Sequence, residues 1–250
     1  MELKILGIRI NVVTLDDAIL CISRWIDRRE RGHCVTLTNV HMVVEARKNA
    51  EFRQVMRDAS LCLPDGMPLV WIGRARGHAV DRISGPDFMI DFCARTAGQG
   101  YQHFFYGGAP SVAEELARTL QARFPGFVVA GSYSPPFREM TPEEHAQVVD
   151  LINATKPDVI WVGLGCPKQE RWMHANRNQL NASVLLGVGQ AFNIHTGHLT
   201  RAPQWMRDHG LEWLFRLMVE PRRLWKRYLV TNTSFMAWFF METLGLKRFE

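Results

Sequence analysis

The 250-residue sequence lacks most of the motifs that identify common classes of enzyme. It contains no GxGxxG dinucleotide fingerprint with an acidic partner, no GxxxxGK[ST] phosphate loop, and no HExxH or DxD metal motif. These absences argue against a nicotinamide enzyme, a nucleoside triphosphatase and a metal-dependent transferase. We therefore expect neither a resident metal ion nor a cofactor.

Cysteine is scarce as well. The five cysteines are an odd number, are widely scattered and include no CxxC pair. Such a pattern argues against a disulfide framework or a cysteine metal site and favours a reduced, cytosolic chain. The first seven residues lack the basic region followed by an apolar core that marks a signal peptide, so we expect none.

Long apolar runs, repeats and low-complexity tracts are also missing. The longest apolar stretch, residues 228–246, is interrupted by Thr231, Asn232, Thr233, Ser234 and Glu242. It falls short of the run of about 18 or more apolar residues that a membrane span needs. With 47% hydrophobic and 22% charged residues, the composition is that of an ordinary folded chain.

Short apolar runs instead alternate with amphipathic segments along most of the chain. Strands are predicted at Lys4 to Val12, Cys34 to Thr38, Leu61 to Leu63, His103 to Tyr106, Phe127 to Ala130, Val159 to Gly163 and Ser183 to Val188. Helices are predicted at Leu15 to Arg31, His41 to Asp58, Pro86 to Ala97, Ser111 to Arg123, Pro142 to Thr155, Lys168 to Asn176 and from Pro203 onward. This alternation predicts an α/β fold, a parallel sheet with helices on both faces.

Polar or glycine-rich turns follow five of the predicted strands. In parallel sheets ligands bind at the carboxyl ends of the strands, so these turns are the candidate site. Ordinary turn chemistry accounts for any one of them taken alone. Their joint placement favours a ligand site formed by Thr38-Asn39, Asp65-Gly66, Gly107-Gly108, residues 163–172 and residues 187–192.

Positive charge is concentrated near the carboxyl terminus. The formal net charge is +5, and residues 201–235 hold seven basic against three acidic side chains, together with Trp205, Trp213 and Trp225. This mixture suits an amphipathic helix that lies on an anionic membrane or closes over a phosphate. A core-facing helix with a solvated basic face is the alternative. Since no nucleic-acid motif accompanies the charge, no nucleic-acid partner is expected.

Ordered motifs spread over nearly the whole chain carry a family resemblance. They are Thr38 to His41, Leu63 to Pro68, Arg82 to Asp87, Phe105 to Gly108, Gly131 to Phe137, Gly163 to Trp172, Arg201 to Pro203, Gly210 to Leu217 and Glu220 to Arg223. Through these motifs the chain resembles the WecG/TagA/CpsF glycosyltransferase family, also called glycosyltransferase family 26.

The resemblance implies a fold, a reaction and a set of partners. The fold is a Rossmann-like α/β core of the GT-E type, residues 1–200, with a helical appendage, residues 201–250, that completes the active site and supports membrane association. The reaction is an inverting, metal-independent transfer of a sugar from a UDP-sugar to a polyprenyl-diphosphate-linked saccharide. Donors in the family carry N-acetylmannosamine, its uronic acid or glucose.

The resemblance also implies a place and a product. The enzyme is expected to be cytoplasmic and peripheral on the inner face of the membrane, where it contributes to a surface polysaccharide or a teichoic-acid-like polymer. Self-association stays open, because exposed apolar surface supports either an oligomer or membrane contact. A non-catalytic sugar-nucleotide-binding or membrane-scaffold protein with the same fold is the alternative function.

Two residues are the catalytic candidates. The acceptor hydroxyl must lose a proton as it attacks, and a nearby carboxylate is the natural general base. Asp65 matches the acidic residue regarded as catalytic in the family, and Asn39 is expected to orient substrate hydroxyls. The structural alternatives are a turn carboxylate for Asp65 and a turn amide for Asn39.

Arginines are expected to neutralise the diphosphate leaving group, because their planar forks match phosphate oxygens. Arg216 and Arg223 are the first choices, and Arg222 and Arg227 are neighbours that face either the diphosphate or anionic lipid. Arg216 has a structural alternative, an i, i+4 ion pair with Glu220.

The remaining donor and substrate contacts follow the motifs. The predicted set is Thr38, Arg82, Gly107, Gly108, Tyr133, Gly163, Gly165, Pro167, Lys168, Gln169, Glu170, Gly189, Gln190 and Asn193. Tyr133 would form a wall for the uracil base or shape an extended loop, and Lys168 and Glu170 have a helix-capping alternative.

Departures from the family pattern are Leu37, where threonine is frequent, and Asn193, where aspartate is frequent. An amide at Asn193 removes a negative charge near the presumed sugar site, which would favour a donor that carries its own carboxylate. His195 and His198 resemble a metal pair, but they lack acidic or cysteine partners at ligand spacing. They are therefore interpreted, together with His41, as ordinary histidines.

Overall fold

A six-stranded, wholly parallel sheet organises the chain, and an antiparallel hairpin precedes it. The computed structural model describes residues 1–249. The hairpin is β1 (Glu2–Ile5) and β2 (Ile8–Asn11). The sheet contains β3 (His33–Thr38), β4 (Leu61–Pro64), β5 (Gln102–Gly107), β6 (Val128–Tyr133), β7 (Val159–Gly163) and β8 (Val184–Gly187). Its strand order is β4-β3-β8-β7-β5-β6.

Helices occupy most of the connections between these strands. They are α1 (Leu15–Asp27), α2 (Val40–Lys48), α3 (Ala50–Asp58), α4 (Met67–Ala75), α5 (Gly85–Thr96), α6 (Val112–Arg123), α7 (Pro142–Ala154), α8 (Lys168–Asn176) and α9 (Ala191–His195). Three more, α10 (Gln204–Asp208), α11 (Glu212–Val219) and α12 (Pro221–Thr243), are called the C-terminal helices below. The predicted α/β fold is confirmed.

Both faces of the sheet are covered because side chains of successive strand residues point to opposite faces. Phe105 and Trp161 pack with α1, α5 and α6, whereas Phe104 and Ile160 pack with α7 and α8. The hairpin packs with α2 and α3 in a third apolar cluster. The strands are therefore buried on both sides, as in other parallel sheets.

The first predicted strand, Lys4 to Val12, is wrong because it folds as the β1–β2 hairpin. Leu6 and Gly7 both have positive φ, 51° and 73°, as a tight two-residue hairpin turn requires. Leucine is an unusual residue in such a turn. Here its side chain is fully buried, so burial in the hairpin's apolar cluster compensates for an unfavourable backbone conformation.

Two helix predictions also differ from the structure. The helix predicted over His41 to Asp58 is two helices, because Asn49 has an extended backbone and its side chain accepts a hydrogen bond from the Phe52 amide at 2.9 Å. This N-cap starts a second helix. Helices α4 and α9 were missed; α4 begins directly after the Asp65-Gly66 turn, with Pro68 in its first turn, and α9 follows the turn after β8.

The C-terminal helices pack against the core through a small part of their surface. Phe235 of α12 is buried in the cluster of α2, α3 and the hairpin, and Glu242 accepts a hydrogen bond from the Leu6 amide. Large apolar side chains stay exposed on the rest, including Trp225, Leu229 and Phe240. Within residues 1–249, no helix is long and apolar enough to cross a membrane.

Candidate active site

Asn39 and Asp65 lie side by side where β3 and β4 end. The Asp65 amide donates to the Thr38 carbonyl at 2.8 Å, which continues the pairing of these two strands into the turn. Asn39 is the N-cap of α2, and its side-chain oxygen accepts from the Met42 amide at 3.3 Å. The Thr38 hydroxyl is fully buried and bonded to Thr36. Strand pairing and helix capping thus fix both catalytic candidates.

Asp65 lies in an environment that favours its protonated form. Burial raises the pKa of Asp65 to about 6, with smaller increases from the charges of Glu212 and Asp87. The positive charges of Arg82 and Arg216 partly oppose this rise in pKa. A carboxylate with a pKa near 6 is still mostly ionised at neutral pH and is a better proton acceptor than an ordinary aspartate.

Arg82 links the Asp65 turn to the C-terminal helices. Its Nε donates to the Asp65 carbonyl at 3.0 Å, and its Nη1 donates to the Arg207 carbonyl at 3.2 Å. Its Nη2 forms a short ion pair with Glu212, the first residue of α11. Through these contacts α10 and α11 are held over the carboxyl end of β4.

A second ion-pair network lies beside the first. Arg201 binds both oxygens of Asp87, at 2.6 and 2.5 Å, and Asp87 also accepts from Ser84 at 2.6 Å. Arg207 is 3.4 Å from the same carboxylate. Burial opposes ionisation, but these hydrogen bonds and the two arginine charges keep the pKa of Asp87 below its usual range. Asp87 therefore carries a permanent charge that ties α5 to the segment preceding α10.

Arg216 approaches the site without a protein partner. Its Nε is buried and has no hydrogen-bond partner within the described chain, while its charge is close enough to lower the pKa of Asp65. The alternative pairing with Glu220 is not formed, because Glu220 binds Arg223 instead, at 2.8 Å from Nε. A half-buried guanidinium whose Nε has no partner, beside a carboxylate cleft, is a suitable ligand for an anion.

Glycines bring the ends of β5 and β7 into backbone contact. Gly107 has φ of 130°, and a Cβ there would lie 2.6 Å from the Gly163 carbonyl carbon. The Gly108 amide donates to the Gly163 carbonyl at 3.1 Å. A side chain on Gly163 would collide with the Phe192 ring at 2.8 Å. The predicted turns at 107–108 and 163–165 therefore form one continuous stretch of the edge.

Gln169 and Glu170 are buried beneath this edge. Gln169 accepts from the Gly165 amide at 3.1 Å and donates to Glu170 at 2.7 Å, and its side chain also approaches Gly187 and Gly189. Burial raises the pKa of Glu170 to about 7, and its second oxygen has no partner among the described residues. A capping box with Glu170 cannot form at the start of α8, because the N-cap residue, Pro167, has no amide hydrogen to donate.

The other predicted contacts surround these residues. Tyr133 stacks on Tyr106, with ring centroids 6.0 Å apart, and Tyr106 stacks on Trp172 at 4.0 Å. Lys168 is exposed at the start of α8, and Pro167 precedes it. Gln190 and Asn193 lie half-buried around α9. Direct contact of these residues with a donor stays a prediction.

The two histidines of the possible metal pair have separate partners. His195 binds the Pro86 carbonyl at 2.9 Å, and His198 binds Glu115 at 2.8 Å. Among residues 1–249, no group of three or more histidine, cysteine, aspartate or glutamate side chains is arranged to hold a metal ion.

Several site residues were missed individually in the sequence. Glu212, Ser84, Asp87 and Trp172 lie inside motifs of the family resemblance, yet their partners are far away in the chain. Arg82 and Glu212 are 130 residues apart, and Arg201 and Asp87 are 114 apart. The one signal in the sequence that could have indicated these ion pairs was the opposite charge of residues in separate family motifs.

Comparison with known proteins identifies the family. The model of the "Glycosyl transferase WecG/TagA/CpsF family" matches residues 3–249. The chain belongs to this family. It is therefore a glycosyltransferase, as the ordered motifs predicted.

Two curated relatives carry the same name, N-acetylglucosaminyldiphosphoundecaprenol N-acetyl-beta-D-mannosaminyltransferase. The one from Bacillus spizizenii strain W23 is 31% identical over 202 residues, 80% of this chain and 76% of the relative. The one from Bacillus subtilis strain 168 is 29% identical over 208 residues, 83% of this chain and 78% of the relative.

Proposed function

We propose that this glycosyltransferase moves a sugar from a UDP-sugar to a saccharide linked to polyprenyl diphosphate, with inversion at the anomeric carbon and without a metal ion. The names of the two relatives support the acceptor class, since both act on a sugar carried by diphosphoundecaprenol. They also make N-acetylmannosamine the first sugar to test, ahead of its uronic acid and glucose. The product would extend a cell-surface polymer.

The observation that carries the proposal is the placement of Asp65. This carboxylate lies at the carboxyl edge of the sheet, beside Asn39 and facing the charges of Arg82 and Arg216. As general base it would remove the proton of the acceptor hydroxyl while that oxygen attacks the anomeric carbon. Direct attack opposite the leaving diphosphate inverts the configuration, and Asn39 would orient a substrate hydroxyl.

The leaving diphosphate requires positive charge as its bond to the sugar breaks. Arg216 is the leading candidate, because its buried Nε lacks a protein partner and its charge reaches the Asp65 cleft. Arg223 is the second candidate. It lies on the next helix, α12, and its Nε donates to Glu220. Such fixed cations stabilise charge that develops in the transition state.

Membrane association would come from the C-terminal helices. Trp225, Leu229, Met236 and Phe240 are each more than half exposed and recur at helical spacing along α12. Basic residues flank them, including the exposed Arg222. An apolar helical face with basic neighbours suits the surface of an anionic bilayer. The enzyme would thus be peripheral on the inner face of the membrane, where the acceptor resides.

The test is release of UDP in the presence of EDTA from a panel of UDP-sugars, each with a polyprenyl-diphosphate saccharide in vesicles. Acceptor-dependent release from one donor would support the proposal and name the sugar. Release that requires a divalent cation would contradict the metal-independent mechanism. UDP binding in a calorimeter without turnover of any donor would favour the non-catalytic scaffold instead.

Asn193 gives a test of donor choice. If its missing charge matters for the sugar, Asn193→Asp should lower kcat/KM more for a donor with a carboxylate than for its neutral counterpart. The measurement is the ratio of kcat/KM for UDP-N-acetylmannosamine and its uronic acid. An unchanged ratio would remove Asn193 from the specificity residues.

A further inference from the structure

A basic groove separates α12 from α2, outside the cleft that holds Asp65. It has a volume of about 410 Å³. Helix α2 contributes one wall, and residues of α12 from the segment 223–231 contribute the other. Its lining residues are His41, Val44, Glu45, Lys48, Arg223, Lys226, Arg227, Val230 and Thr231.

Positive charge in this groove exceeds what the protein neutralises. Lys48, Lys226 and Arg227 face Glu45, whereas Arg223 is already bound to Glu220. The Nε atom of Arg227 is buried and has no hydrogen-bond partner within the described chain. A buried guanidinium N–H without a partner is costly, and an acceptor from outside the protein would remove that cost by accepting its hydrogen bond.

The surroundings of His41 show the same excess of positive charge. Its Nδ1 lies 3.5 Å from the Thr231 hydroxyl across the groove. Burial, together with the charges of Arg227 and Lys48, lowers the pKa of His41 to about 4. The imidazole is therefore neutral at physiological pH, and the cations of the groove outnumber its one lining carboxylate, Glu45.

The groove adjoins the catalytic edge through α2. Helix α2 starts at Val40, directly after the capping residue Asn39. Arg227 is near the loop after β7, because its charge opposes the rise in the pKa of Cys166 that burial causes. Arg216 acts instead on Asp65. Arg227 and Arg216 thus act on different groups of the catalytic edge.

The outer rim of the groove is apolar. Val230 lines the groove and is 42% exposed, and the neighbouring Leu229 is 58% exposed. Further along the same helix, Met236 and Phe240 extend the exposed apolar surface. The basic groove is thus followed along α12 by an apolar surface. A ligand with a phosphorylated head and a hydrocarbon tail matches this arrangement better than a nucleotide does.

We propose that the groove between α2 and α12 binds the diphosphate of the lipid-linked acceptor, with Arg227, Lys226 and Lys48 as its cations and His41 as a hydrogen-bond donor. The donor's diphosphate then belongs to Arg216, whose charge acts on Asp65. This assignment rests on the proposed function and divides the arginines predicted for a single diphosphate between two substrates.

The first experiment titrates inorganic diphosphate into the UDP-saturated protein and follows the imidazole resonances of His41, assigned with His41→Gln. A saturable shift in the presence of UDP is expected. Lys226→Gln and Arg227→Gln should each weaken it by about tenfold, since each removes a charge-assisted hydrogen bond. Lys247→Gln removes an exposed positive charge elsewhere in the chain and should behave like the unmodified protein.

The opposite results would overturn the assignment. No shift of His41 would show that the groove does not bind diphosphate, and loss of the shift on adding UDP would place the groove in the donor site. Failure of UDP to bind in a calorimeter refutes the proposed function instead, and the His41 titration without UDP still reports on the groove.

A second experiment separates the acceptor from lipid headgroups, which offer the same phosphate chemistry. With acceptor in neutral phosphatidylcholine vesicles, Arg227→Gln should raise the KM for acceptor by about tenfold and leave the KM for the UDP-sugar unchanged. Its binding to anionic vesicles without acceptor should match that of Lys247→Gln. A larger loss of vesicle binding in Arg227→Gln, with an unchanged KM for acceptor, would assign the groove to headgroups and overturn the proposal.

Discussion

The sheet and the C-terminal helices differ in how completely they bury their apolar side chains. In the sheet Trp161, Tyr106 and Phe104 are almost wholly buried, whereas α11 has no buried residue and α12 has three among its 23. The end of strand β4 in the sheet carries Asp65, the proposed base, and the helices bring Glu212 and Arg216 to it. Rigid packing thus fixes the reacting group, while the charges around it depend on helices that expose much of their apolar surface.

The largest effect is expected on the sheet side of this comparison. Asp65→Asn should lower kcat by about 10³, because it removes the proposed general base and preserves the shape of the side chain. UDP binding should persist. Steady-state rates and calorimetry check this, with the exposed Asp150→Asn as the matched control. Turnover near that of the unmodified enzyme would contradict the role of Asp65.

The same variant tests the electrostatics of Asp65. Because the pKa of Asp65 is raised on folding, its stabilising contribution is complete below the unfolded value near 3.8 and is lost as the pH rises through about 6. Asp65→Asn should therefore raise the free energy of unfolding by about 1–3 kcal/mol at pH 8 and leave it unchanged at pH 3. Denaturant unfolding at both pH values measures it, and equal effects at the two would contradict the raised pKa.

Two phenylalanines on α12, one buried and one exposed, allow the effect of packing on stability to be measured separately from the effect of the exposed surface on membrane binding. Phe235 is 3% exposed and Phe240 is 64% exposed. Phe235→Ala should lower the free energy of unfolding by about 3–4 kcal/mol through the cavity it leaves. Phe240→Ala should change it by less than about 0.5 kcal/mol but weaken sedimentation with anionic vesicles. Unchanged vesicle binding would remove Phe240 from the proposed membrane surface.

Arg216 tests the contribution of the helices to chemistry. Arg216→Gln should lower kcat/KM for the UDP-sugar by about 10², since a fixed cation beside the leaving group is lost. The affinity for UDP should fall with it. Arg118→Gln, an exposed arginine paired with Glu114 on α6, is the control. Equal effects of the two substitutions would leave Arg216 with a general electrostatic role only.

The smallest effect is a shift in pH dependence. The unmodified enzyme should lose kcat/KM as the pH falls through about 6, when Asp65 becomes protonated. Glu212→Gln should move this midpoint to lower pH, because the negative charge of Glu212 raises the pKa of Asp65. Arg82→Gln should move it to higher pH. A shift in the same direction for both variants would exclude control of Asp65 by this ion pair.

Periodicity in the sequence was sufficient for the class of fold but not for its details. The alternation of apolar runs and amphipathic segments predicted the parallel sheet, and the bounds of β7 and α8 match. The hairpin turn was missed because Leu6 carries none of the usual turn signals. The break at Asn49 was missed because one asparagine inside an amphipathic run does not stop the helical pattern.

The candidate site was predicted as a set of residues rather than as an arrangement. Motifs indicated Asp65, Asn39 and the arginines, whose roles stay predictions. They did not indicate that Arg82 forms an ion pair with Glu212 or that Arg201 forms one with Asp87, because those pairs depend on how segments far apart in the chain pack together. His41 was interpreted as an ordinary histidine, since its basic surroundings come from a helix nearly 190 residues later.

The position of β8 also determines when the protein becomes competent during synthesis. This strand is the last of the sheet in the chain, yet it lies between β3 and β7. Until residues 184–187 leave the ribosome, the nascent chain holds a two-strand piece and a three-strand piece with no pairing between them. Asn39 and Asp65 are on one piece and Gly163 to Glu170 are on the other. Nascent chains that stop before β8 are therefore expected to bind no substrate, because the two halves of the candidate site come together only when residues 184–187 pair with both pieces.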